Sequence, residues 1–207
     1  MKMKAIYTIT LLLLSLSIFS QKGKNGSLSV STSNVKINEF TALTTNASAG
    51  NTTIDVAAGS LNANARFTST LTAGDLVMII QMQGALIKLH PYNPWEAYVT
   101  DSLYGQIYSY QSCGNYEFAQ VKTVISATQI ELECGLKYDY SVSGKTQVVR
   151  VPRYNSLTVT GTGTLTTDAW NGTIGGVLVA EVDGNTTING LVTASALGFR
   201  GGAPIAS

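Results

Sequence analysis

Short stretches of strand character recur along most of the chain, rich in Val, Ile and Thr and broken by Gly, Asn and Ser. They run over Val35–Leu43, Thr52–Ala57, Asp75–Met82, Tyr116–Val124, Gln129–Cys134 and Thr146–Val151. Gly74-Asp75 forms a turn into Leu76–Ile80, which is apolar throughout, as a strand covered on both faces would be. No window holds a sustained 3.6-residue period with capping residues, so helices are not expected. Residues 35–153 are therefore read as a compact β-barrel or sandwich domain. The polar, Ser/Gly/Asn-rich residues 21–34 before it read as a flexible lead-in.

The last third follows another rhythm. Leu157–Gly161 and Gly163–Thr166 are two short strands around a glycine corner. Thr186–Gly190 and Leu191–Ala194 repeat the pattern about 27–29 residues later, a spacing within the range of solenoid coils. Gly175–Val182 supplies a third strand between them. Short strands, glycine corners and a period in the high twenties are what successive coils of a right-handed parallel β-helix give. A second sandwich is the alternative. The expected fold is thus all-β, an N-terminal barrel or sandwich capping the first coils of a β-helix over residues 154–207. A coil buries its apolar face only against its neighbours, so the array is expected to continue beyond Ser207.

At the start of the chain, Lys2 and Lys4 precede an almost unbroken apolar run from Ala5 to Phe19, which ends at Ser20 before polar Gln21-Lys22-Gly23-Lys24. A basic start, a short apolar run and a small residue at its end form a secretory signal peptide, residues 1–20. The run is shorter than the ~20 apolar residues of a spanning helix, so no transmembrane span is expected in the mature chain. The expected location is exported, either secreted or at the cell surface. Loss of residues 1–20 takes two of the 13 basic residues and none of the 12 acidic ones, leaving 11 against 12. With a net charge near −1 there is no basic field for phosphate, and nucleic acid is a poor partner.

Cys113 and Cys134 are the two cysteines, in a compartment where a disulfide persists. Tyr116–Val124 and Gln129–Cys134 read as a hairpin turning at Ser126-Ala127-Thr128, which sets Cys134 opposite about Ala119. Cys113 then lies six residues further along, on the order of 20 Å at ~3.3 Å per residue. Bridged Cα atoms lie within ~7 Å. A loop folding back before Tyr116 would close the gap, so the pair stands as a candidate disulfide.

Four segments resemble parts of large secreted Bacteroidetes proteins, many of which carry gliding-motility or type IX secretion sorting domains at their far C-termini. They are Ala73–Gly84 (AGDLVMIIQMQG), Gly114–Phe118 (GNYEF), Val149–Tyr154 (VRVPRY) and Ala196–Gly202 (ALGFRGG). The resemblance covers most of residues 36–202. It implies an N-terminal module of adhesin-like surface proteins, with no reaction and no catalytic residues.

The chain offers little reactive chemistry. His90, the one histidine, stands in a proline-bearing loop without the partners a metal site needs. No Gly-x-Ser-x-Gly elbow accompanies it. No catalytic, cofactor or metal site is therefore assigned. The segment from His90 to Ser112 is dense in aromatic residues: Tyr92, Trp95, Tyr98, Tyr104, Tyr108 and Tyr110. Flat rings stack on sugars and anchor protein contacts, so these six form the candidate ligand surface, with loop packing as the plain alternative. The expected partner is an extracellular polysaccharide or a surface protein, and the expected role structural or adhesive. The competing reading is a β-helical polysaccharide lyase or glycoside hydrolase. For that chemistry residues 157–207 offer only Asp168, Glu181, Asp183 and Arg200. Asp101-Ser102-Leu103 matches a short pattern for bacterial O-glycosylation at Ser102.

Overall fold

A computed structural model describes residues 21–87 and 106–199. The described residues are all-β. In chain order the strands are β1 (Ser27–Val30), β2 (Val35–Lys36), β3 (Glu39–Ala42), β4 (Thr53–Asp55), β5 (Leu76–Gln81), β6 (Leu86–Ile87), β7 (Ile107–Ser109) and β8 (Tyr116–Ser126). There follow β9 (Gln129–Leu132), β10 (Thr146–Val151), β11 (Arg153–Tyr154), β12 (Ser156–Val159), β13 (Thr164–Thr166), β14 (Glu181–Val182), β15 (Thr186–Ile188) and β16 (Leu191–Val192).

Six of these strands make one antiparallel sheet in the order β3-β10-β5-β8-β9-β4. The sheet curls until its two edges meet. Leu43, just past β3, bridges Val56, just past β4, and the Thr44 and Ala57 amides donate across the seam at 2.9 Å. Register irregularities in the β8–β9 pair supply local bending, as bulges do. Closure leaves an interior filled by Ile54, Val56, Val77, Ile79, Val121, Ile130, Leu132 and Val148.

The apolar run of β5 is explained by two cores. Val77 and Ile79 point into the barrel, while Leu76, Met78 and Ile80 join Val149 and Val151 in a separate cluster outside it. The period of two sends alternate residues to opposite faces, and here both faces are covered.

The remaining strands stack in parallel. β1, β12 and β15 form one ladder, β2, β13 and β16 a second, and β11 and β14 a third. Leu157 pairs with Thr186, Thr164 with Leu191 and Arg153 with Glu181. Across these pairs the three ladders advance by 27 to 29 residues, one β-helix coil, whereas Ser27 and Val35 lie 129 and 130 residues before their partners Ser156 and Leu165. Val30, Ile37, Tyr154, Leu157, Val159 and Leu165 fill the interior of the coils.

The lead-in reading is corrected here. Residues 27–30 are not a flexible leader but the first coil: Ser27 pairs with Ser156 and Val30 with Val159. Leu28 and Val30 turn inward while Ser27 and Ser29 face out, the alternation a half-buried strand needs. The barrel is consequently inserted within the coil sequence, between β2 and β11, rather than placed before it. The expected third strand is also shorter than its apolar pattern, being confined to Glu181–Val182. The residues ahead of it still alternate, with Val177 and Val179 against the outer barrel cluster and Leu178 and Ala180 against the β-helix core.

Charged groups brace the end of the barrel nearest the coils. Arg150 is 2% exposed and bonds Asp75 at 2.7 Å and the Ser69 carbonyl at 2.8 Å, with its guanidinium 3.9 Å above the Phe67 ring. Burial pulls its pKa down while Asp75 and Glu39 oppose that shift. Lys24 reaches the other Asp75 oxygen at 2.6 Å and so ties the first coil to the barrel.

Candidate functional site

The opposite end of the barrel is closed by Gln81, the last residue of β5 and fully buried. Its Nε2 donates to the carbonyls of Gln83 at 2.9 Å and Gln111 at 2.7 Å, and its Oε1 accepts from the Ser141 amide at 2.9 Å. One side chain thereby holds three loops around the barrel mouth. The loops fit closely, since a Cβ on Gly144 would collide with the Gln81 side chain. Gln111 and Ser112 both adopt the left-handed backbone conformation, with positive φ. That conformation costs non-glycine residues on the order of 1–2 kcal/mol each. The Gln81 bond to the Gln111 carbonyl offsets part of that cost.

These loops enclose a cleft of about 540 Å³. Asn46, Ser48, Gln111, Ser112, Asp139, Ser141 and Ser143 supply its polar lining, with Leu86 and Tyr140 among the apolar contacts. The Asn46 side-chain Oδ1 accepts from the Val142 amide at 2.9 Å, and one Asp139 carboxylate oxygen accepts from the Ala49 amide at 2.9 Å. Both side chains are thus oriented by the backbone, and each keeps polar atoms for a ligand. The Tyr140 hydroxyl is buried without a hydrogen-bond partner among the described residues. Burial first, and the Glu117 carboxylate second, push its pKa above the ordinary phenol range, so it stays protonated.

The two-stranded ribbon of β6 and β7 stands beside the cleft, with Leu86 paired to Ser109. Of the six aromatic candidates, Tyr108 and Tyr110 lie on and just past this ribbon, 69% and 65% exposed. Tyr92, Trp95, Tyr98 and Tyr104 lie outside the described residues, as do His90, Ser102, Arg200 and residues 1–20. The structure adds aromatics that the loop-centred reading missed. Tyr116 and Phe118, at the start of β8, are half exposed and meet edge to face with centroids 6.2 Å apart. Tyr138 lies under the Lys137 ammonium, 4.9 Å from its ring centre. The signal for Tyr116 and Phe118 was their i, i+2 spacing, but a period of two does not say which face is wet.

The candidate disulfide is not formed. Cys113 is half-buried with its Sγ 3.6 Å from the Met82 carbonyl, and Cys134 is exposed and free. The tight turn over residues 110–115 keeps Cys113 at the barrel mouth instead of folding it back along β8. The acids of the β-helix are engaged in bracing. Glu181 pairs with Arg153 one coil back, Asp183 with Lys22 at 3.5 Å, and Asp168 with Arg66 at 2.6 Å and Lys36 at 2.7 Å. Partial burial works to raise the Asp168 pKa, but the two cations hold it below the usual aspartate value. Among the described residues no group of three or more His, Cys, Asp or Glu is placed to hold a metal ion, and no helix is long and apolar enough to cross a membrane.

No protein-family model matches the chain, and no curated protein matches it. Among solved structures it is loosely similar to three phage tailspikes. The tailspike of Acinetobacter baumannii bacteriophage AP22, in complex with A. baumannii capsular saccharide, aligns at 13% identity and a TM-score of 0.36, covering 81% of this chain and 28% of that one. The tailspike of Pseudomonas phage LKA1 aligns at 15% identity and 0.32, covering 70% and 27%. That of Pseudomonas phage phi297 aligns at 12% and 0.35, covering 81% and 25%. This chain therefore spans little more than a quarter of their length, and likeness at this level carries no argument about what it does.

Proposed function

We propose that the chain is a non-catalytic adhesive module of an exported surface protein, and that it binds glycan through the cleft at the mouth of its barrel. The observation that carries this reading is the chemistry of the cleft: a concave, mostly uncharged hydrogen-bonding lining beside exposed tyrosines. Sugars present hydroxyl groups around their edges and weakly apolar faces, which Asn, Gln and Ser side chains and flat aromatic rings complement in turn. Asp139 is the one carboxylate among the described lining residues, whereas glycoside hydrolysis ordinarily uses a pair. The basic start, the apolar run ending at Ser20 and the resemblance to Bacteroidetes adhesin-like modules support export to the surface.

The test is an array of bacterial and plant polysaccharides probed with the wild type and Tyr108→Ala. An exposed ring that stacks on a ligand contributes roughly 1–2 kcal/mol, so the variant should bind about five- to thirtyfold more weakly. Its melting temperature should be unchanged, because the ring is exposed. Absence of wild-type binding to every glycan overturns the reading. Release of reducing or unsaturated sugar replaces it with the enzyme.

A further inference from the structure

We infer that the glycan site is a groove extending from the barrel mouth onto the outer wall, shaped for a linear neutral polysaccharide rather than a single sugar. This rests on the glycan-binding reading above and names its substrate class.

A second cleft of about 430 Å³ is lined by Asn115, Tyr116, Glu117, Phe118, Lys137 and Tyr138. The mouth cleft is lined by Gln111 and Ser112 from one segment and by Asp139, Tyr140, Ser141 and Ser143 from another. The two clefts draw on successive stretches of the same two segments, 111–112 and then 114–118 on one, 139–143 and then 137–138 on the other, and this is the ground for joining them. Glu117 ties the walls together, accepting the Lys137 amide at 3.0 Å and the Tyr138 amide at 3.4 Å. The register places Tyr116 opposite Ile80, one residue from Gln81, so the aromatic platform starts at the rim of the mouth.

Each cleft alone falls within the roughly 300–1,000 Å³ of a small-ligand site. Joined, a polar trough that leads onto a strip of exposed rings matches a polymer repeating hydroxyl edges and ring faces. Charge selects the class. The described walls carry one cation, Lys137, against two carboxylates, Glu117 and Asp139, so there is no positive surplus to recruit a polyanion.

Titration calorimetry with β-glucan and chitin oligosaccharides of two to eight units, and with polygalacturonate oligomers of matching length, separates the outcomes. The expected result is affinity for a neutral series that rises at least tenfold with length and then levels off. Phe118→Ala should abolish that rise while leaving the shortest binding oligomer unaffected, and Tyr116→Ala should repeat the effect, each with no more than the small drop in melting that loss of their edge-to-face contact brings. Length-independent affinity indifferent to both variants overturns the groove but leaves glycan binding at the mouth intact. Binding of the acidic series alone overturns the neutral class. Binding of no oligomer at all removes the groove, while the glycan reading itself stands or falls on the polysaccharide array.

Discussion

Gln147 on β10 joins the barrel to the β-helix by pairing its side-chain amide with both backbone groups of Gly175. Its Nε2 donates to the Gly175 carbonyl at 3.0 Å, and its Oε1 accepts from the Gly175 amide at 2.8 Å. Asn38 repeats the arrangement with Val179, at 2.7 and 3.0 Å. The segment 175–179 lies between two apolar cores and forms no ladder there, so its polar backbone needs other partners. Two buried amides supply them, and their spacing holds the side chains of 177–180 in alternation between the cores.

Gln147→Ala should strip both partners from Gly175. A buried donor or acceptor left unpaired costs about 1–3 kcal/mol, so a loss of about 2–4 kcal/mol is expected. Urea unfolding of the two proteins measures it. A loss under about half a kcal/mol would mean that water replaces the amide.

Arg150→Ala should be among the most damaging single changes. It leaves Asp75 in a buried site with Lys24 as its one remaining cation among the described residues, and empties the space over Phe67. Breaking a buried pair typically costs about 3–5 kcal/mol. Arg150→Lys should recover only part, because one ammonium cannot reach Asp75 and the loop carbonyls together. Thermal melting of the three proteins ranks them.

Asp168 predicts an acid dependence. Its folded-state pKa is lowered. Its stabilising contribution is therefore present above the unfolded value of about 3.9 and is lost as pH falls through the folded value. Asp168→Asn should be less stable than wild type at neutral pH, and the gap should narrow below about pH 4. Melting curves from neutral to strongly acidic pH test this. A gap that widens on acidification would show that the carboxylate is not held by Arg66 and Lys36.

What the sequence discloses follows from the range of the interactions. The β8–β9 hairpin is local, and its observed register, with Val121 opposite Leu132 and the Glu133 amide bonded to the Gln120 carbonyl, is the one that sets Cys134 opposite Ala119. The coil period was legible because glycine corners recur at each turn. β1 was missed although Ser27–Val30 alternates, because its partner Ser156–Val159 lies far along the chain, beyond the whole barrel. Ser/Thr-rich coils also resemble linkers in composition. The mouth cleft left no motif. It is gathered from four separate stretches, around Asn46, Gly84, Gln111 and Ser141, and only the buried side chain of Gln81 brings three of them together.

The most direct test of the account is the amide spectrum of isotopically labelled protein, titrated with the best glycan from the array. Binding at the barrel mouth predicts saturable shifts at Gln111, Ser112, Ser141 and Ser143, while Thr186–Ile188 and Leu191–Val192 on the β-helix stay in place. Shifts confined to those β-helix strands, with the mouth residues unmoved, would contradict it.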